Sequence, residues 1–180
     1  MTDRRYPIGP IALKDAYSDE EIREFIRIIA EIPAEYRKRV ENLSDEDLRK
    51  TYREGSWNIR QLIHHVADLQ FVHYLRMKKA ITEPDYDEVT LIDMNAWAGT
   101  PDSLNVPIEA SLAIFEGTHA RYAYLAGTLN EEQFARKYYH PTRKLWFDQK
   151  QALAMSVWHV RHHLAHIDLA LGILNNRVAM

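Results

Sequence analysis

Four stretches of this sequence place apolar residues at helical spacing, and little in the chain interrupts them. Six glycines and seven prolines occur in 180 residues, mostly between these stretches, and no alternating Val, Ile and Thr runs predict a substantial sheet. The first predicted helix begins at Ser18, where Glu21 completes a capping box; the other three follow Asn58, Asn105 and Asp148. Four helices of about 20 residues predict an all-α fold, a four-helix bundle.

Two helix boundaries and two connections complete this prediction. Pro33 is expected to end or kink the first helix, although the sequence after it continues with helical spacing. The fourth helix is expected to stop at Asn175 and Asn176. The connections 84–104 and 135–147 are too long for simple bundle turns, and their Trp and Tyr residues argue against disorder. We expect both to fold over one end of the bundle as the walls of a site.

The composition limits both the class of protein and its chemistry. A chain of 180 residues is the size of one domain, here 1–180, and 46% hydrophobic with 27% charged residues is typical of a globular protein. No apolar run approaches the roughly 18 to 20 residues that span a bilayer, and no secretory signal is visible, so we expect a cytoplasmic protein that does not enter membranes. A net charge of −3 without a basic stripe argues against nucleic acid as a partner. Because the chain has no cysteine, any metal must be held by His, Asp or Glu.

Four of the nine histidines lie within the nine residues WHVRHHLAH, positions 158–166. On a helical wheel His159 and His163 flank the apolar stripe, whereas His162 and His166 point outward. The first pair is spaced four residues apart, so both imidazoles can reach one metal ion. The alternative for such a cluster is a solvated helix face, which we expect for the outward pair.

A third ligand must come from another helix, and the second predicted helix carries three histidines. On its wheel His64 points away from the apolar stripe, His65 lies on the flank and His73 lies near the centre. Periodicity alone therefore ranks His73 above His65 as an inward histidine. The other interpretation of His73 is a core histidine hydrogen-bonded to a carbonyl, and His64 is expected on a solvated face.

Two segments resemble the motifs of a known metalloprotein family. The stretch YREGSWNIRQLIHHVAD, residues 52–68, is followed about ninety residues later by WHVRHHLAHI, residues 158–167. The His140–Pro141 pair and the segment MNAW at 94–97 extend the similarity over most of the chain. Together these motifs resemble the YfiT-like branch of the DinB superfamily, whose members are four-helix-bundle metalloproteins.

The resemblance implies a ligand set. The first ligand of the family matches His65 in HVAD, and the other two match His159 and His163 in the HxxxH. This set agrees with the wheel for the fourth helix and favours His65 over His73. Three neutral imidazoles leave coordination positions open for water or substrate, as in catalytic sites. One divalent metal per chain, zinc or nickel, suits these ligands, and the sequence does not separate the two.

The resemblance also implies a function. YfiT-like proteins are regarded as metal-dependent hydrolases, and members of the branch act as S-transferases that join bacillithiol, a low-molecular-weight thiol, to electrophiles. In both cases the metal lowers the pKa of a bound water or thiol, so that hydroxide or thiolate attacks a small-molecule substrate. Families of this kind are often homodimers, and the first helix with the arm RRYPIGPIAL, residues 4–13, offers apolar surface for such an interface.

Residues beside the ligands are candidates for orienting them or the substrate. Asp68 follows His65 by one turn, and Arg161 and His162 flank the second ligand pair; surface charge is the alternative for all three. Four further residues lie in segments that the resemblance places near the site, without an assigned role: Tyr52, Arg53, Trp97 and His140.

Two other classes of function remain open. One is a non-catalytic helical module whose histidines bind metal or respond to pH, which would not need an open coordination site within a pocket. The other is nucleophilic hydrolysis through Ser156 and a nearby histidine. It is less well supported, because Ser156 lies in mid-helix without a strand-turn-helix elbow.

Overall fold

The computed structural model describes residues 3–174 and is mainly helical. Its elements in chain order are α1 (Asp19–Val40), α2 (Asp45–Leu48), α3 (Ile59–Thr82), α4 (Met94–Ala98), α5 (Pro101–Asn105), α6 (Ile108–Gly127), α7 (Glu131–Phe134), β1 (Lys137–His140), β2 (Leu145–Asp148) and α8 (Gln149–Ala170). The four long helices α1, α3, α6 and α8 pack in the cyclic order α1, α6, α3, α8. The predicted four-helix bundle is therefore confirmed.

The predicted caps of three long helices are present. Ser18, Asn58 and Asp148 each accept a hydrogen bond from a backbone N–H three residues on, and the side chain at that position bonds back to the cap. Helix α8 ends at Ala170, before Gly172 in the left-handed region at φ 72°. The predicted stop at the asparagine pair 175–176 falls outside the described residues.

Pro33 does not end α1, which continues to Val40. A proline has no N–H, so the carbonyl of Ile29, four residues earlier, lacks its usual helical donor. His119 of α6 supplies one: its Nδ1 donates to the Ile29 oxygen at 2.6 Å. The proline is thus accommodated by a side-chain hydrogen bond across the bundle.

A two-stranded hairpin, missed by the sequence prediction, forms part of the second long connection. Strands β1 and β2 are antiparallel, with Tyr138 opposite Phe147. An isolated bridge between Glu88 and Tyr139 joins the first long connection to the hairpin. Buried side chains of both connections and of α8, among them Val89, Tyr138 and Phe147, form a second hydrophobic cluster beside the bundle core. Both long connections therefore fold against the same end of α3 and α8.

The N-terminal arm, residues 3–17, packs on α8. Trp158 donates its indole N–H to the Gly9 carbonyl at 3.2 Å, and Tyr6 lies 6.0 Å from the ring of His162. Ile11 and Leu13 pack against the second hydrophobic cluster. The apolar side chains that were expected to serve a dimer interface are thus partly used within the chain. Among the helices that the structure describes, none combines the length and the apolar character needed to span a bilayer.

Candidate metal centre

Three histidines from two helices converge at the interface of α3 and α8. His65 belongs to α3, and His159 and His163 lie one turn apart on α8. One ring nitrogen from each lies within 4.8 Å of the others, and Nε2 of His65 is 3.2 Å from Nε2 of His159. Two nitrogens bound to one tetrahedral zinc at ~2.05 Å are about 3.3 Å apart. His65 and His159 therefore already have the nitrogen–nitrogen separation that a shared metal ion requires.

Burial keeps these imidazoles neutral. All three are buried, at 4%, 9% and 8% exposure. Desolvation lowers the pKa of His65 to about 4 and lowers the pKa values of His159 and His163 well below their ordinary range, with neighbouring imidazoles adding to the effect. Neutral imidazoles offer the lone pairs that a divalent metal needs, so the three residues fit such an ion.

The amide of Gln70 controls the protonation of His159. Its Nε2 lies 3.0 Å from Nδ1 of His159, and its Oε1 lies 3.1 Å from Nε2 of His119. In this orientation the amide donates to Nδ1, so His159 carries its proton on Nε2 and donates it to His65. Coordination through Nε2 of His159 needs a lone pair on that nitrogen, so the proton must move to Nδ1. The Gln70 amide would then turn by 180° and present its oxygen to Nδ1–H.

His119 favours the turned orientation. Its Nδ1–H donates to the Ile29 carbonyl, and burial lowers its pKa to about 4, so the neutral ring has only a lone pair at Nε2. An amide NH₂ facing that lone pair makes a hydrogen bond, whereas an amide oxygen does not. Gln70 was not found by sequence reasoning; the available signal was a polar residue four positions after Val66 on the apolar stripe of α3.

Three histidines expected on solvated faces are in fact buried: His64, His162 and His166. His64 contacts the Ser111 hydroxyl through Nδ1 at 2.7 Å. The N-terminal arm covers His162, and Tyr52 stacks on His166 with ring centroids 3.8 Å apart. The wheel was wrong for these positions because it compares residues within one helix and does not show which other segments cover that helix.

A second histidine group shares a member with the first. His162, His163 and His166 also bring one nitrogen each within 4.8 Å of one another. Nδ1 of His163 lies 3.4 Å from Nδ1 of His166, while His162 Nδ1 and His166 Nε2 are buried without a hydrogen-bond partner among residues 3–174. The first group differs in its surroundings, because His159 also faces a cavity.

This cavity of about 550 Å³ lies between α3, α8 and the two long connections. Its wall includes His73 and His159 from the helices, Met94 from α4, and His140 and Phe147 from the hairpin. The prediction that the long connections fold over one end of the bundle is thereby confirmed, and both line a cavity there. His73 is half-buried and contacts the Ser156 hydroxyl at 3.1 Å rather than a carbonyl.

The other candidate residues lie at different distances from the cavity. Asp68 is half-buried, with its pKa raised to about 6 by burial, and no hydrogen bond joins it to the imidazoles within the described part of the chain. Arg161 is exposed and lines a separate groove beside α1. His162 stacks on Trp158 beneath the arm. These positions do not favour orientation of the ligands by Asp68 or Arg161.

The residues without an assigned role lie in different parts of the structure. His140 lines the cavity, Tyr52 contacts His166, and the guanidinium of Arg53 lies 5.6 Å from the Tyr52 ring. Trp97 is 42% exposed on α4. Ser156 is fully buried, and in the present orientation of the Gln70 amide its hydroxyl donates to Oε1 at 2.8 Å, so the hydroxyl lies inside the helix interface.

Comparisons with known proteins agree with this arrangement. "Putative metal-dependent hydrolase YfiT" of Bacillus subtilis is 36% identical over 162 residues, which are 90% of each chain. A second relative named "Putative metal-dependent hydrolase", from Oceanobacillus iheyensis, is 39% identical over 94% of this chain and 96% of its own. The solved structure of Bacillus subtilis YfiT, described as an unusual four-helix bundle topology, superposes with a TM-score of 0.90 at 35% identity, covering 96% of this chain and 98% of that one.

A more distant structure shares the fold. The mycothiol-dependent maleylpyruvate isomerase superposes with a TM-score of 0.62 at 17% identity, over 81% of this chain and 60% of that one. The family model described as the DinB superfamily matches residues 28–167, which include all three converging histidines. The chain therefore belongs to the DinB superfamily.

Proposed function

We propose that this chain is a metal-dependent hydrolase in which His65, His159 and His163 hold one divalent ion, zinc or nickel. The observation that carries the proposal is the position of His159, which belongs both to the converging imidazoles and to the cavity wall. An ion held there is reachable from the cavity, as hydrolysis requires and as an inert module does not. The names of the relatives support the same reaction class.

The chemistry divides between the ion and the side chains. A divalent ion held by three neutral imidazoles supplies Lewis acidity that activates water or a thiol as a nucleophile near neutral pH. Gln70 orients His159, and the tilted ring of Trp57, whose centroid lies 4.7 Å from that of His65, helps to exclude bulk water from that imidazole. The cavity volume falls within the usual range for a small-molecule ligand.

His140 offers the cavity a neutral imidazole with a ring nitrogen that has no partner among the described residues. This nitrogen is Nδ1, and it is buried. Burial, with the charges of Arg76 and Arg143, lowers its pKa to about 4, so the ring is neutral at pH 7. We assign it the role of forming a hydrogen bond through Nδ1 with a polar atom of the substrate. Assembly as a homodimer and a cytoplasmic location remain predictions.

Metal content of untagged protein tests the ligand set before any substrate is chosen. Elemental mass spectrometry should find about one zinc or nickel per chain in the wild type and none in His65→Ala or His163→Ala. His73→Ala is the matched control, because its ring centroid lies 5.4 Å from that of His159 but it is outside the ligand set. Retention of metal by His65→Ala, or its loss from His73→Ala alone, would contradict the assignment.

Activity is then measured on metal-loaded and chelated protein. Hydrolysis of p-nitrophenyl butyrate should require the metal and should fall in His140→Gln with little change in metal content. Addition of 2-mercaptoethanol together with an electrophile such as 1-chloro-2,4-dinitrobenzene tests thiol transfer. Metal-dependent conjugation without ester hydrolysis would replace the hydrolase by an S-transferase and leave the ligand set intact.

A further inference from the structure

The cavity beside His159 is strongly cationic. Two arginines, Arg76 of α3 and Arg143 of the hairpin turn, lie in its wall. The lining residues that the structure describes include neither Asp nor Glu. A divalent ion held by the three neutral imidazoles would add two further positive charges. The described lining residues supply no negative charge to balance the two arginines.

Arg76 is the more unusual of the two arginines. It is 8% exposed, and its Nε is buried without a hydrogen-bond partner among residues 3–174. Its Nη2 donates to the Thr90 carbonyl at 3.1 Å, and no salt bridge to Arg76 occurs within the described ranges. Burial lowers its pKa, with Tyr138 and Tyr86 as partly compensating neighbours. A buried guanidinium without a counter-ion is costly, so its retention in a cavity wall indicates a ligand that supplies the charge.

Much of the remaining wall is apolar, although two histidines besides His159, a tyrosine and a threonine also line it. Leu69, Leu91, Met94, Phe147 and Trp158 surround the space between the two arginines and His159. Such a surface binds a hydrophobic body and offers few hydrogen bonds to a sugar or peptide backbone. The cationic groups and the apolar surface therefore select two different parts of one molecule.

We propose that the cavity binds an organic oxyanion with an apolar body, its carboxylate or phosphate held by Arg76 and Arg143. The reacting bond of this molecule then lies toward His159. The inference rests on the proposed function in one respect, since it places the substrate of that reaction in this cavity. The binding of the oxyanion itself does not require the metal, and this separates the two ideas experimentally.

Binding to chelator-treated protein provides the test, because carboxylates also bind metals directly. Isothermal titration in low-salt buffer is carried out with 4-phenylbutyrate, with its neutral counterpart 4-phenylbutanamide, and with phenyl phosphate. We expect either anion to bind at least tenfold more tightly than the amide. Preference for phenyl phosphate over 4-phenylbutyrate identifies a phosphate ester as the natural group, and the reverse identifies a carboxylate.

Substitutions test whether the buried guanidinium of Arg76 causes the preference for an anion over the amide. Arg76→Gln should reduce the anion-to-amide ratio to about one, Arg76→Lys should restore part of it, and Arg143→Gln should weaken it. Arg161→Gln is the matched control, an exposed arginine outside the cavity, and should keep the full ratio. Thermal unfolding of each variant reports folding separately.

Three outcomes would overturn the inference: equal binding of anion and amide, an unchanged ratio in Arg76→Gln, or no binding of any probe up to its solubility. None of these would affect metal content or chelator-sensitive ester hydrolysis, on which the proposed function depends. Conversely, anion selectivity in a chain that binds no metal would support the cavity and refute the hydrolase.

Discussion

The side-chain amide of Gln70 lies 3.0 Å from Nδ1 of His159, so this contact decides which nitrogen of the imidazole keeps a proton. The same amide contacts His119, whose own proton is fixed by the Ile29 carbonyl that Pro33 leaves without a helical donor. A hydrogen-bonded chain thus runs from α1 through α6 and α3 to α8. Its last member is a predicted metal ligand.

Replacing Gln70 by leucine should weaken metal binding by ~10- to 100-fold, because His159 loses the group that fixes its tautomer. The affinity is measured by competition with a chromophoric chelator. Gln149→Leu is a matched control, since Gln149 is also fully buried but its amide donates to the Arg136 carbonyl, away from the imidazoles. Equal loss of affinity in both variants would show that Gln70 acts only through packing.

The two histidine groups can be separated by one substitution in each. His166→Phe keeps a ring against Tyr52 but removes both nitrogens, and we expect it to retain one metal per chain. His159→Phe should abolish binding. Metal content and circular dichroism on both variants check this. Loss of metal from His166→Phe with His159→Phe still loaded would move the site to the second group.

Metal should stabilise the fold, because it joins α3 to α8. At a free concentration of 100 times Kd, a ligand that binds only the folded chain adds ~2.7 kcal/mol to the free energy of unfolding. For a chain of this length the expected increase in melting temperature is roughly 5 to 10 °C. Scanning calorimetry should find this increase in the wild type and in His73→Ala, and no increase in His65→Ala.

Acid should unfold the metal-free chain. Burial lowers the pKa of all nine histidines below the ordinary 6.5. It is about 4 for four of them and about 3 for two others: His65, His119, His140 and His162, then His73 and His166. Between pH 6.5 and these values the unfolded chain binds more protons, so stability falls as pH falls. We expect an acid-unfolding midpoint between about pH 4 and 6, followed by far-ultraviolet circular dichroism.

One group acts in the opposite direction. The pKa of Asp68 is raised to about 6, so this residue lowers stability as pH rises from about 4 to 6. Asp68→Asn should therefore steepen the loss of stability on acidification over that interval. A wild-type chain equally stable at pH 7 and pH 4.5 would contradict the burial of the histidine cluster.

The sequence predicted those features that depend on local chemistry. Caps at Ser18, Asn58 and Asp148 are local signals, and each was found where the pattern predicts it. The burial of His162 was not predictable from α8, because Tyr6, 156 positions earlier in the chain, covers it. The hairpin was missed because four-residue strands are too short for a periodic signal, although aromatic runs flank its turn.

The candidate site shows the same division. The spacing of His159 and His163 indicates a pair on one helix, but the choice of His65 came from the family resemblance, since the wheel favoured His73. Arg76 gave no signal, because an arginine in an amphipathic helix ordinarily lies at the surface. Its significance depends on which charges are absent around it, and that requires the tertiary structure.

The bridge between Glu88 and Tyr139 ties the first long connection to the hairpin, so the outer wall of the cavity is one connected unit separate from the helices that carry the imidazoles. The hairpin and the first long connection can therefore shift or change together, whereas Arg76 and the imidazoles stay fixed on the helices. Changes in the hairpin can therefore reshape the cavity while the imidazole geometry stays fixed.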